Sequence, residues 1–131
     1  MTATMARYPL PFEADETHIM SSTLPAAEAI LLQSLVNSTD KGIASRVLAR
    51  SAGGNITIFA FDTGEELSEH TAPFDAHVMV LEGAFVLPIG DQEVRAEPAP
   101  IVRMPATVPH AVRATEPGRL LLIMLREPKP A

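Results

Sequence analysis

The stretch Ala76-His77-Val78-Met79-Val80-Leu81-Glu82-Gly83-Ala84-Phe85-Val86-Leu87-Pro88-Ile89-Gly90-Asp91-Gln92-Glu93-Val94-Arg95-Ala96 decides the fold. Ala76 to Leu81 is an apolar run closed by Glu82-Gly83. Ala84 to Ile89 is a second run, and Gly90-Asp91 is a two-residue hairpin signal leading into Gln92 to Ala96. These runs are too short for helices and are bounded by glycine, so they read as strands. Upstream, Asn55 to Phe61 sets Ile56, Ile58 and Ala60 against Thr57, Phe59 and Phe61. Both faces are largely apolar, which suits a strand inside a two-layer arrangement. Asp62-Thr63-Gly64 is a turn, and Leu67 to His70 continues extended.

Downstream the same rhythm holds. Glu97-Pro98-Ala99-Pro100 is a rigid turn, Ile101 to Met104 and His110 to Ala114 are short extended pieces, and Glu116-Pro117-Gly118 leads into Arg119 to Arg126. Many short strands at close intervals predict an all-β barrel or sandwich. It is expected over residues 45–126. Residues 1–44 read as an irregular N-terminal arm, with a turn or two of helix expected between Pro25 and Val36. Residues 127–131 read as a frayed tail.

Composition narrows the function. The chain has 131 residues, with 10 Lys plus Arg against 16 Asp plus Glu, giving a net charge of −6. That balance argues against nucleic acid and anionic membranes as partners. There is no Cys, so thiolate metal sites and cysteine nucleophiles are excluded. The longest apolar run, Leu120 to Leu125, is far short of the ~20 residues of a membrane helix. No secretory signal pattern appears in Met1 to Pro11, and the expected location is the cytoplasm. No glycine-rich phosphate loop and no serine elbow is present.

Two of the four histidines, His18, His70, His77 and His110, sit in telling contexts. Gly64 is followed by His70 after five intervening residues, and Gly83 closes the strand beyond. Pro105 is followed by His110 after Ala106-Thr107-Val108-Pro109. Over Ser45 to Arg126 this frame resembles the cupin superfamily, and Phe61 to Ala76 looks like a subgroup of uncharacterised cupin domain proteins. The resemblance implies a double-stranded β-helix, a jelly-roll-like barrel, with a small-molecule pocket and a divalent metal such as Fe, Mn, Ni or Zn. It carries metal contact onto His70 and His110. The family's second motif histidine falls on Ala72, its glutamate on Ala76, its internal glycine on Thr107 and its closing asparagine on Ala114. Only two of the four usual ligands are therefore present.

His77 is one residue past the family's glutamate position and is a third candidate ligand, if a bulge near Pro73-Phe74-Asp75 turns it inward. Glu66 shares a face with His70 if that strand is regular, so it is expected to line the same cavity. Arg103 and Arg113 are candidates for a substrate carboxylate at the barrel mouth. Asp75 reads as a side chain bonding backbone amides, and Met79, Met104 and Met124 as core filler. Two readings follow. One is a metal-dependent barrel with dioxygenase- or isomerase-type chemistry. The other is a non-catalytic small-molecule-binding or scaffold barrel. A homodimer is expected in both, with the arm crossing to the partner.

Overall fold

The structure is a computed structural model and describes residues 4–5 and 21–126. Two antiparallel sheets face each other. The larger has seven strands: β1 (Thr4–Met5), β2 (Ser21–Ser22), β3 (Ile43–Ser51), β4 (Gly54–Phe61), β6 (Ala76–Glu82), β9 (Ile101–Met104) and β11 (Gly118–Leu125). Its main path runs β1-β3-β4-β11-β6-β9, with β2 also on β3. The smaller sheet is ordered β5 (Glu66–His70), β10 (His110–Ala114), β7 (Phe85–Ile89), β8 (Gln92–Ala96). From β4 onward the chain passes back and forth between the two sheets, with the β7–β8 hairpin staying in the smaller one, in the manner of a double-stranded β-helix.

Alternation along each strand divides the apolar residues into two sets. Phe59, Phe61, Val78, Val80, Phe85 and Leu87 point inward and form the barrel interior with Val112 and Leu120. Ile58, Ala60 and Leu121 point outward from the larger sheet and pack under Leu35 and Val36 of the N-terminal arm. Two apolar faces on one strand, the pattern seen in Asn55 to Phe61, thus have separate physical causes. Between Pro25 and Val36 the only helical turn is a 3-10 segment, Leu32–Leu35. The arm is secured by Arg119, whose Nε donates to the carbonyl of Val36 at 3.0 Å while its guanidinium also pairs with Glu82.

The barrel begins at Ile43, two residues before the expected boundary. The predicted strands Gln92 to Ala96, Ile101 to Met104 and His110 to Ala114 match β8, β9 and β10 end to end. Gly90 takes φ 61° at the first position of the β7–β8 hairpin, the positive value that primed turns require. Residues 1–3 and 6–20 of the expected arm, His18 among them, and residues 127–131 lie outside the described residues. No helix among the described residues is long and apolar enough to cross a membrane.

Candidate functional site

His70 ends β5 and His110 begins β10, and the two are cross-strand partners. Below them Val112 pairs with Leu67, so three steps on β5 match two on β10. That mismatch is a β-bulge, and it brings both Leu67 and His70 onto the inward face. The imidazole rings lie 4.5 Å apart between centroids, at 69° to one another. His110 is buried, with 3% of its surface exposed, whereas His70 is exposed at the rim.

Each ring is oriented by a carbonyl two residues earlier in the chain. Nδ1 of His70 lies 3.0 Å from the carbonyl oxygen of Ser68, and Nδ1 of His110 lies 3.1 Å from that of Val108. A carbonyl only accepts, so Nδ1 carries the proton in both rings. In the neutral rings Nε2 then holds a lone pair, the tautomer that ligates metals or accepts a substrate proton. Burial holds the His110 pKa below its ordinary value. The neighbouring His70 adds to this, and the bond to Val108 partly opposes it.

Register defines what else faces this end of the barrel. Across the smaller sheet the row is His70, His110, Ile89, Gln92. At the same end of the larger sheet the inward row is Asn55, Met124, Ala76, Met104. The next rows inward are apolar on both sheets, apart from Thr57, which is fully buried and donates to Oδ1 of Asn55 at 3.2 Å. The mouth therefore mixes polar and apolar side chains on both walls and is largely apolar beneath.

Two loops frame the mouth, 71–75 and 105–109, and both are tied down. The amide of Thr107 donates to the carbonyl of Ala72 at 2.7 Å. Asp75 accepts from the amide of Ala106 at 2.8 Å and from Arg103 at 3.1 Å. These two partners, the amide first, hold the Asp75 carboxyl below the usual carboxylate range. Phe74 lies beneath the Arg126 guanidinium, 5.5 Å from its ring centroid. A mouth pinned at this many points presents its side chains with little reorganisation.

Four candidate residues are placed elsewhere. His77 lies on β6 between Ala76 and Val78, which both point into the core, so alternation turns it to the outer face; no bulge at 73–75 reverses this. Glu66 does not share the face of His70, because the bulge between Leu67 and His70 breaks the regular alternation that expectation assumed. Arg113 is its cross-strand partner and points outward between buried Val112 and Ala114. Arg103 also points outward, and its guanidinium is engaged by Asp75. Asp75 bonds backbone as expected, although the amide it holds lies 31 residues away. Among the described residues no group of three or more His, Asp or Glu side chains could hold a metal ion. The sequence reading missed Asn55 and Gln92 as mouth residues. Their signal was positional: each is the first or second residue of a strand that starts at the histidine end.

The fold and this site define a small β-barrel of the cupin class. The cupin domain pattern matches residues 57–125, more than half of the chain, and the chain belongs to this family. A conserved protein of unknown function from Streptococcus pyogenes is similar, at 30% identity and a TM-score of 0.76, over 79% of this chain and 91% of that one. A cupin superfamily protein from Desulfitobacterium hafniense is similar at 29% identity and a TM-score of 0.75, over 79% and 95% of the two chains. A cupin 2 conserved barrel domain protein from Leptotrichia buccalis shares 32% identity with a TM-score of 0.69, over 72% of this chain and 46% of that one. No curated protein matches the chain.

Proposed function

We propose that this cupin barrel binds a small molecule at its mouth and anchors a divalent metal there through Nε2 of His70 and His110. The observation that carries the reading is the paired tautomer: both Nδ1 atoms are committed to backbone carbonyls, and the rings are 4.5 Å apart. Two imidazoles sharing one ion through Nε2 at about 2.1 Å sit with centroids roughly 4.5–5 Å apart, so the observed spacing fits. When bound, the metal supplies Lewis acidity or oxygen activation toward a small polar molecule, the chemistry of a dioxygenase or isomerase. The chain's own part is to hold the ion at two points, leave other positions open, orient the molecule through Asn55 and Gln92, and exclude water beneath.

The second reading is a non-catalytic ligand-binding or scaffold barrel. It is favoured by the alanines at positions 72 and 76 and by the absence of a third His, Asp or Glu ligand among the described residues. Elemental analysis of tag-free protein separates the two. Near-stoichiometric metal that is lost in His70→Ala and His110→Ala supports the metal reading. Metal-free protein whose melting temperature is unmoved by Mn, Fe, Ni or Zn leaves only the second, because ligation of the folded state raises stability. The reading extends to a cytoplasmic homodimer, with neither nucleic acid nor membrane as partner. Ile101 and Leu125, both more than half exposed on the outward face of the larger sheet, support the assembly. Light scattering at micromolar concentration that gives a 14.0 kDa particle overturns it.

A further inference from the structure

We propose that Asp75 is a positioning residue for His110: by holding the turn at residues 105–108 it keeps the Val108 carbonyl on Nδ1 and so leaves the Nε2 lone pair available to a metal. The inference rests on the reading that the histidine pair anchors a divalent ion. Its observation is a chain of hydrogen bonds that starts in the loop after His70 and ends on the ring of His110.

The chain begins at Asp75. Its main-chain carbonyl accepts from the amide of Leu125 at 3.5 Å, and its Oδ2 pairs with Arg103 at 3.1 Å. Leu125 ends β11 and Arg103 lies on β9, so Asp75 is fixed to the larger sheet. Its other carboxylate oxygen, Oδ1, accepts from the amide of Ala106 at 2.8 Å.

Ala106 belongs to a turn. The amide of Val108 donates to the carbonyl of Pro105 at 3.4 Å, and Thr107 takes φ 67°. Positive φ at the third residue is what a type II turn requires. Both central amides are bound from loop 71–75, that of Ala106 by Asp75 and that of Thr107 by Ala72. The far end is held at Pro109, whose carbonyl accepts from the amide of Gly90 at 2.8 Å. Between these anchors stands the Val108 carbonyl, 3.1 Å from Nδ1 of His110. The turn's own closing bond is long, so the orientation of this carbonyl depends on the outside ties.

The consequence is chemical. An Nδ1 proton bonded to Val108 leaves Nε2 as an acceptor or ligand. A ring released from that carbonyl shares its proton between the two nitrogens, and a protonated Nε2 holds no metal. Partners that orient a metal-binding ring contribute about tenfold or more to metal affinity. Asp75 does not touch the ring; it acts through the backbone from Ala106 to Val108.

The test is ring-nitrogen NMR of full-length, tag-free, metal-free protein with isotope-labelled histidine. It is run at about pH 8, where imidazoles are neutral, with Zn(II) titrated in parallel. In the unsubstituted protein, Nδ1 of His110 should give a pyrrole-like signal and Nε2 a pyridine-like one. In Asp75→Ala the two signals should move toward each other, and Zn(II) affinity should fall about tenfold. Asp75→Asn, whose amide oxygen still accepts from Ala106, should restore both. Ala106→Pro deletes the donor and suits the second position of the turn, so it should reproduce the alanine variant even where that one fails to fold. Asp62→Ala is the control. Asp62 accepts from the amides of Lys41 and Thr63 at 2.7 and 2.8 Å, but it follows β4 at the other end of the barrel, so neither readout should change. His110 signals unmoved in folded Asp75→Ala or Ala106→Pro overturn the proposal and leave the metal reading intact. Signals that respond in a protein that binds no Zn, Mn, Fe or Ni support the positioning role and remove the metal reading. Unsubstituted protein with the proton on Nε2 overturns both.

Discussion

The amide of Thr107 donates to the carbonyl of Ala72 at 2.7 Å and so joins the loop before His110 to the loop after His70. Thr107 makes this bond from φ 67°, a left-handed conformation that a β-branched residue adopts only under constraint. The cupin motif has glycine at this position. Thr107→Gly should keep the amide bond and relieve the backbone. The relief of ~1–2 kcal/mol outweighs the entropy that glycine adds to the unfolded chain. The expected outcome is a gain of about 0.5–1 kcal/mol in urea unfolding, with the slope unchanged. A loss of stability would mean that the threonine side chain contributes more than the strain costs.

The opposite substitution fails at Gly83. This residue takes φ 83°, and an added Cβ would fall 2.4 Å from the carbonyl oxygen of Pro117 and 2.6 Å from Cα of Gly118. Both obstacles are backbone, so neither can swing aside. Gly83→Ala should cost about 2–4 kcal/mol, since it combines conformational strain with steric overlap. Thermal unfolding checks this, with Gly64→Ala as comparator. Gly64 also has positive φ, at 81°, but its Cβ would meet nothing within 4 Å, so only the strain remains.

The strands were legible because their ends carry glycine, proline or acidic turn residues and their interiors repeat with period two. The helical expectation between Pro25 and Val36 rests on helix-forming residues and on Pro25 near the start. Leu35 and Val36 instead lie against the outer sheet face, and a single 3-10 turn satisfies that packing. The site was half legible. His70 and His110 were placed by a sequence frame that register then joined. Glu66 was misplaced because a bulge inserts one residue into β5 without leaving a glycine to mark it. Arg103 and Arg113 were drawn toward the mouth by their charge, yet the buried neighbours Val112, Ala114 and Met104 fix their faces outward. Alternation decides such cases once it is counted from the core residue and not from the charged one.

Arg119 reads in the sequence as the start of a strand, and its second role shows only in three dimensions. It links residues 83 positions apart by donating to Val36, and it reaches Glu82 on the neighbouring strand. Arg119→Met retains much of the apolar stem and deletes the donors. The expected cost is about 1 kcal/mol, with faster proteolytic cutting between residues 24 and 42 as the arm loosens from the sheet. Glu82→Gln should leave the Val36 bond in place and produce little extra cutting. If both variants are cut equally fast, the ion pair and not the carbonyl bond restrains the arm.

The buried histidine makes stability depend on pH in a definite direction. The folded-state pKa of His110 lies below the ordinary 6.5, chiefly because burial penalises the imidazolium and secondarily because His70 faces it. Between the folded value and 6.5 the unfolded chain binds more protons than the folded one, so stability rises with pH through that window. The stabilisation is complete above 6.5 and is lost as pH falls toward the folded value. Metal-free protein treated with chelator should therefore melt at a lower temperature at pH 5.5 than at pH 7.5. His110→Asn should flatten that difference, because asparagine does not titrate. His70→Asn should reduce it only in part, by removing the neighbouring imidazole while leaving the burial. Asp75 belongs to another window. Its amide and arginine partners depress its pKa, so its contribution persists through pH 5.5 and is lost only below the ordinary carboxylate value of 3.8. A pH profile unchanged in His110→Asn would show that the ring is hydrated in solution and that the mouth is wetter than its apolar floor implies.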